Sequence, residues 1–161
     1  QGLQGGRFPV PAPQQRDGTV VVDYGLVDHR DVAAEGVGGK LRACDDGEEF
    51  AGFEQAADQL AQDGINCTVV DPRTISPFDE TTILECVSAT GRLVVADEGH
   101  PRCGMASDIA GLVAEKAFSD LKAPVRMVTA PHTPVPFAAN LEAAYLPTAT
   151  DIETAVRSIV R

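Results

Sequence analysis

Residues 91–113 read GRLVVADEGHPRCGMASDIAGLV, and three patterns follow one another within them. Arg92–Ala96 (RLVVA) is a short, β-prone apolar run. Asp97 to Gly104 (DEGHPRCG) is polar and punctuated by glycine and proline, as a loop is. Ile109, Leu112 and Val113 then recur at the spacing of one helical face. A strand that feeds a helix through a short loop is the unit from which parallel sheets are built, so this stretch decides the fold class.

Working outward, the same alternation continues on both sides. Upstream, Phe50, Phe53, Ala57 and Leu60 share a helical face that Gly64 brings to an end. Ile65–Val70 (INCTVV) is a second β-prone run, and DPRT turns out of it. SPFD then predicts a helix start with Ser76 as cap, Pro77 at the first position and Asp79 in the first turn. Ile83, Leu84 and Val87 form that helix's apolar side, and Gly91 stops it. Downstream, the third helix runs towards Leu121, Pro124 precedes a strand at Val125–Thr129, and APHTPVPF forms a loop. Asp151–Val160 closes the chain as a helix with Ile152, Val156, Ile159 and Val160 on one side. This order implies right-handed crossovers and a three-layer α/β/α sandwich with a mostly parallel sheet over residues 48–161.

The first 47 residues are less regular. Residues 1–18, rich in Gly, Pro and Gln, read as a tail or linker. Residues 19–47 are uncertain: TVVVDY suits a strand, but the glycines and acids after it break every period. The N-terminal stretch has neither an initiating Met nor the apolar core of a secretory leader, so it reads as an incomplete start.

At 161 residues the chain is long enough to bury one core, and 43% apolar with 23% charged residues is a globular composition. A net charge of −11 leaves no basic surplus for phosphate backbones, which argues against nucleic acid. Apolar runs are too short to span a membrane. Cys44, Cys67, Cys86 and Cys103 are scattered with no CxxC pair, and read as free thiols in a reducing, cytoplasmic setting.

The loop after Arg92–Ala96 holds Asp97, Glu98, His100, Arg102 and Cys103 within seven residues. A histidine beside acids could act as a tuned base, a cysteine near a helix start could be a lowered-pKa nucleophile, and the two could ligate a metal. Partners for each role are missing: His29 and His132 stand alone, and no second His–Cys pair occurs. There is no GxGxxG and no P-loop lysine. A loop at the carboxyl end of a parallel strand, feeding a helix through Gly104, is the favoured reading, and loops at that edge commonly face ligands or partners. The candidate contact residues are Glu98, His100, Arg102, Cys103 and His132, with no catalytic, cofactor or metal residue assigned. A small anion at the helix start after Cys103 is a further alternative. APHTPVPF has three prolines within residues 131–136, so it is stiff and suited to crossover or docking. Asp45, Asp46, Glu48 and Glu49 lack the ligand order of a calcium loop and read as a solvated helix start.

The run GINCTVVDPRTISPFDETTILECVSATGRLVVADEGHPRCGMASDIAGLVAEKAFSDLKAPVRMVTAPHTPVPF resembles the C-terminal domain of the β subunits of thiamine-diphosphate-dependent 2-oxo acid dehydrogenases. The blocks that carry the likeness are DPRT, SPFD, TGRLVV into DE, PRC, and APV followed by TPVPF, over roughly Phe53 to Val160. DPRT, PRCGMASDIA and APHTPVPF look most like an acetoin dehydrogenase β subunit. The resemblance implies a transketolase C-terminal fold and a part in an oxidoreductase whose cofactor is thiamine diphosphate with magnesium. It implies as partners an α subunit and a second β subunit in an α2β2 assembly, and the subunit-binding domain of a lipoyl acyltransferase. It implies no cofactor bound to this domain alone, because the pyrimidine-binding domain and its activating glutamate have no counterpart here. The family also places a strand before the Phe50 helix. KLRAC or TVVVDY could supply it, or residues 1–47 could be an artefact of translation. Self-association of the domain stays open, as does a free-standing enzyme built on His100 and Cys103.

Overall fold

The computed structural model describes residues 19–24, 48–72 and 74–160. The tail at 1–18, the acids at 45 and 46, His29, Cys44 and the KLRAC segment lie outside the described residues. So do the side chains of Phe50 and Phe53.

Among the described residues four parallel strands form one sheet in the order β2-β1-β3-β4. β1 (Thr19–Tyr24) lies between β2 (Cys67–Val70) and β3 (Leu93–Asp97), with Val20 opposite both Thr68 and Leu93. Among the described residues β4 (Arg126–Thr129) pairs only with β3, Val94 facing Arg126. Of the two segments considered for the strand before the Phe50 helix, TVVVDY supplies a central strand of the sheet, and KLRAC lies outside the described residues. A run of valines suits that place, since a central parallel strand is covered on both faces.

Helices cover the two faces in pairs. Val70, Leu93 and Val95 pack with Ile83, Cys86 and Val87 of α2 (Glu80–Thr90) and with Ile109 and Val113 of α3 (Met105–Lys116). On the other face Val94 and Ala96 meet Ala56 and Leu60 of α1 (Glu48–Gln62) and Ile152, Val156 and Ile159 of α5 (Ala149–Ile159). The alternation of β3 residues between the two cores is the two-residue period of a strand, with every position of β3 buried. A short helix, α4 (Ala139–Ala143), interrupts the stretch between the proline-rich loop and α5. The described helices include none long and apolar enough to cross a membrane.

Two local expectations need correction. The cap of α2 is Asp79, not Ser76: its Oδ1 accepts the Thr82 amide at 3.1 Å and its Oδ2 the Thr82 hydroxyl at 2.6 Å. Ser76 and Pro77 lie before the helix, joined by a cis peptide. The later start leaves Phe78 free to pack against the α2–α3 core from the loop. The third helix ends at Lys116, well short of Leu121, and a 3-10 turn over Phe118–Asp120 redirects the chain. That turn brings Leu121 and Val125 back onto the same core.

Gly91 ends α2 in the left-handed region at φ 77, and its amide reaches Val87 O at 2.7 Å. A Cβ there would stand 2.9 Å from Asp120 O, so the helix end and the 3-10 turn are fitted to a glycine.

Candidate functional site

The sheet order places a reversal between β1 and β3: the chain leaves β1 towards β2 on one side, and leaves β3 towards β4 on the other. In open α/β sheets the crevice outside the carboxyl ends of the strands at such a reversal is where ligands and partners gather. The loop 98–104 leaves β3 at this point.

Asp97 organises the loop. It is buried, and its carboxylate accepts two backbone amides: Gly99 N–H on Oδ1 at 2.7 Å and Ala106 N–H on Oδ2 at 3.1 Å. The second bond puts a negative charge on the first turn of α3, where the helix dipole is most positive. Gly99 and Gly104 let the chain wrap closely; a Cβ on Gly99 would stand 2.9 Å from Asp97 Oδ1, and one on Gly104 3.0 Å from His100 O. Ser107 completes the start of α3, its hydroxyl donating to Gly104 O at 2.7 Å. The helix start proposed for a small anion is thus filled by the chain's own carboxylate. A free anion there would meet like charge, and the sequence reading is corrected on that point.

Of the five candidate residues, the structure brings two together. His100 and His132 meet edge to face with centroids 5.5 Å apart, and Tyr145 stands against His100 at 6.4 Å. The Tyr145 hydroxyl donates to Thr133 O at 3.3 Å, and Ala130 N–H donates to Gly99 O at 3.2 Å, so the two loops are tied. His100 Nδ1 is buried without a hydrogen-bond partner among the described residues. Arg102 and Cys103 are exposed and Glu98 is half-buried. Cys103 adopts a left-handed φ of 55, a strained setting for a residue with a Cβ. No hydrogen bond among the described residues joins its thiol to either imidazole, and no group of three metal-ligating side chains occurs among them.

The other described thiols are structural. Burial pushes Cys67 up to about 11, and burial together with the charges of Glu85 and Asp79 pushes Cys86 to about 11. Both are free, as is Cys103.

Sequence reasoning missed two features of this end of the molecule. Tyr145 is buried beside His100, although 45 positions separate them, which no local spacing reveals. At the end of the proline-rich loop and just after it, Val135, Phe137 and Leu141 project into solvent, with Phe137 wholly exposed at 104%. Large apolar groups clustered in sequence and left in water mark a surface made for contact.

Residues 47–152 match the family described as transketolase, C-terminal domain. The β subunit of acetoin:2,6-dichlorophenolindophenol oxidoreductase from Cupriavidus necator is 41% identical over 169 aligned positions, covering 99% of this chain and 44% of that protein. The Bacillus subtilis protein of the same description is 53% identical over 94, covering 58% of this chain and 28% of its own length. The pyruvate dehydrogenase E1 component subunit beta of Rickettsia bellii is 46% identical over 104, covering 65% and 32%. The chain thus spans less than half the length of these relatives. Among solved structures, a split-gene transketolase described as an inactive beta4 tetramer superposes with a TM-score of 0.63 at 23% identity, covering 91% of this chain and 39% of that one. That likeness shows a shared fold.

Proposed function

The chain belongs to the transketolase C-terminal domain family, and on that premise we propose that it is the assembly and partner-docking domain of a β subunit of an acetoin or 2-oxo acid dehydrogenase. The whole enzyme would use thiamine diphosphate with magnesium and pass an acyl group to a lipoyl arm. Its partners would be an α subunit and a second β subunit in an α2β2 assembly, with the acyltransferase's subunit-binding domain docking on this region. The observation that carries the docking role is the exposed apolar strap of Val135, Phe137 and Leu141 on a proline-stiffened segment. A chain of charge −11 suits a basic docking domain, so raised salt weakens that contact. The compartment proposed is the cytoplasm, in keeping with three free thiols.

The described residues do not themselves fit thiamine diphosphate. The α3 start at the sheet reversal carries the Asp97 carboxylate, which repels a diphosphate, and no carboxylate trio is present among the described residues for the metal. On this reading the cofactor would be held by other parts of the whole enzyme.

A free-standing enzyme built on His100 and Cys103 remains the competing reading. The two separate cleanly in a full-length β subunit carrying this domain, assembled with its α subunit. Cys103→Ala leaves turnover within a few fold under the assembly reading. Loss of a nucleophile would lower it by several orders of magnitude and would favour the enzyme reading.

A further inference from the structure

The outer edge of β4 borders a groove of about 540 Å³, within the range of ligand-sized sites. Its opposite wall is the α4–α5 connection at Ala144–Pro147 and the face of α5 bearing Asp151, Thr154 and Ser158. All four residues of β4, Arg126 to Thr129, line it consecutively. Side chains of a strand alternate between faces, so four in a row can border one groove only through the strand's backbone edge. β4 pairs with β3 alone among the described residues, which leaves alternate N–H and C=O groups on the other edge to face this space.

The groove also has an electrical direction. Arg126 lies opposite Val94 and Val128 opposite Ala96, so Arg126 is on the α5 side of the sheet. It is exposed, and the ion pairs of the described residues leave it out, in a chain with 24 acids and 13 bases. α5 runs back along β4, since Ile159 O meets Arg92 at the start of β3. Asp151 therefore stands at the opposite end from Arg126. Its carboxylate takes the Thr148 hydroxyl at 2.6 Å and amide at 2.9 Å, bonds that hold its pKa below the usual carboxylate range and keep it charged.

We propose that this groove takes an extended segment of another polypeptide, added as a strand to β4, with an acidic side chain at Arg126 and a basic one towards Asp151. A four-residue strand fixes the recognised core at four residues, roughly 13 Å. Main-chain hydrogen bonds to β4 supply affinity, and the two charges set direction. This goes beyond the assembly reading: a chain that co-assembles with an α subunit but takes no peptide leaves that reading standing and removes this one.

The probe is a displayed library of random heptapeptides selected on the folded chain. Enriched peptides should be rich in β-branched residues, with an acid three or four positions from a base. A synthetic copy methylated on single backbone nitrogens should lose at least tenfold in affinity at every second core position and little at the others. Arg126→Glu, an exposed change, should weaken it roughly tenfold. Failure to enrich any peptide, methylation tolerated at every position, or affinity unmoved by Arg126→Glu would each overturn the proposal. So would sedimentation showing that a second copy of this chain already pairs along β4, with peptide excluded.

Discussion

Asp97, the last residue of β3, accepts the amide of Ala106 in the first turn of α3 at 3.1 Å while also holding Gly99 at 2.7 Å. One buried carboxylate thus fixes the strand end, the loop and the helix start together. Replacing it with Ala orphans two backbone amides at once. Asp97→Ala should cost about 2–4 kcal/mol in urea unfolding, and Asp97→Asn, which keeps an acceptor, about half of that. Equal and small losses for both variants would mean the loop is held by other contacts.

The caps of α2 make a sharper local test. Asp79→Ala should lower stability by about 1 kcal/mol, because the Thr82 amide and hydroxyl lose their acceptor. Ser76→Ala, outside the helix, should stay within about 0.5 kcal/mol of the parent in the same denaturant titration.

These two residues also mark what the sequence discloses and what it hides. The periodicities of α2, α3 and α5 and the apolar run of β3 are strong because one face or both faces of each element are buried, and burial imprints spacing. SPFD offers two capping residues three positions apart, and the choice between them turns on where Phe78 must point, a tertiary matter. The role of Asp97 is hidden for the same reason. A carboxylate after a strand looks alike whether it faces water or a helix start. TVVVDY reads as a strand, but its place in the sheet is hidden by distance, since residues 25–47 separate it from α1. The contact of His100 with His132 and Tyr145 joins three segments that only the sheet brings together.

The buried thiols tie stability to alkaline pH. With folded values near 11 against an ordinary value of 9.0, Cys67 and Cys86 keep their protons in the folded chain where the unfolded chain has released them. Their contribution is complete below pH 9 and is lost as pH rises towards 11. The slope there approaches about 1.4 kcal/mol per pH unit for a fully protected thiol. Cys86→Ala should flatten that slope in a series of unfolding curves from pH 8 to 11, even though the variant is less stable at pH 8. An unchanged slope would mean that Cys86 titrates alike in both states.

Exposure orders the reactivity of the same thiols. Brief treatment with iodoacetamide at pH 8 should label Cys103, which is exposed, and spare Cys86, which is 4% exposed. Peptide mapping reads the order directly, and early modification of Cys86 would show that the α2–α3 core opens readily.

The assembly role rests most directly on Phe137. In a full-length β subunit carrying this domain, Phe137→Asp changes a side chain that touches water alone, so unfolding should shift by no more than about 0.5 kcal/mol. Sedimentation of that subunit mixed with its α subunit is the decisive measurement. The account predicts the mass of an α2β2 assembly for the parent and of smaller species for Phe137→Asp. An undiminished α2β2 mass for the variant would contradict it.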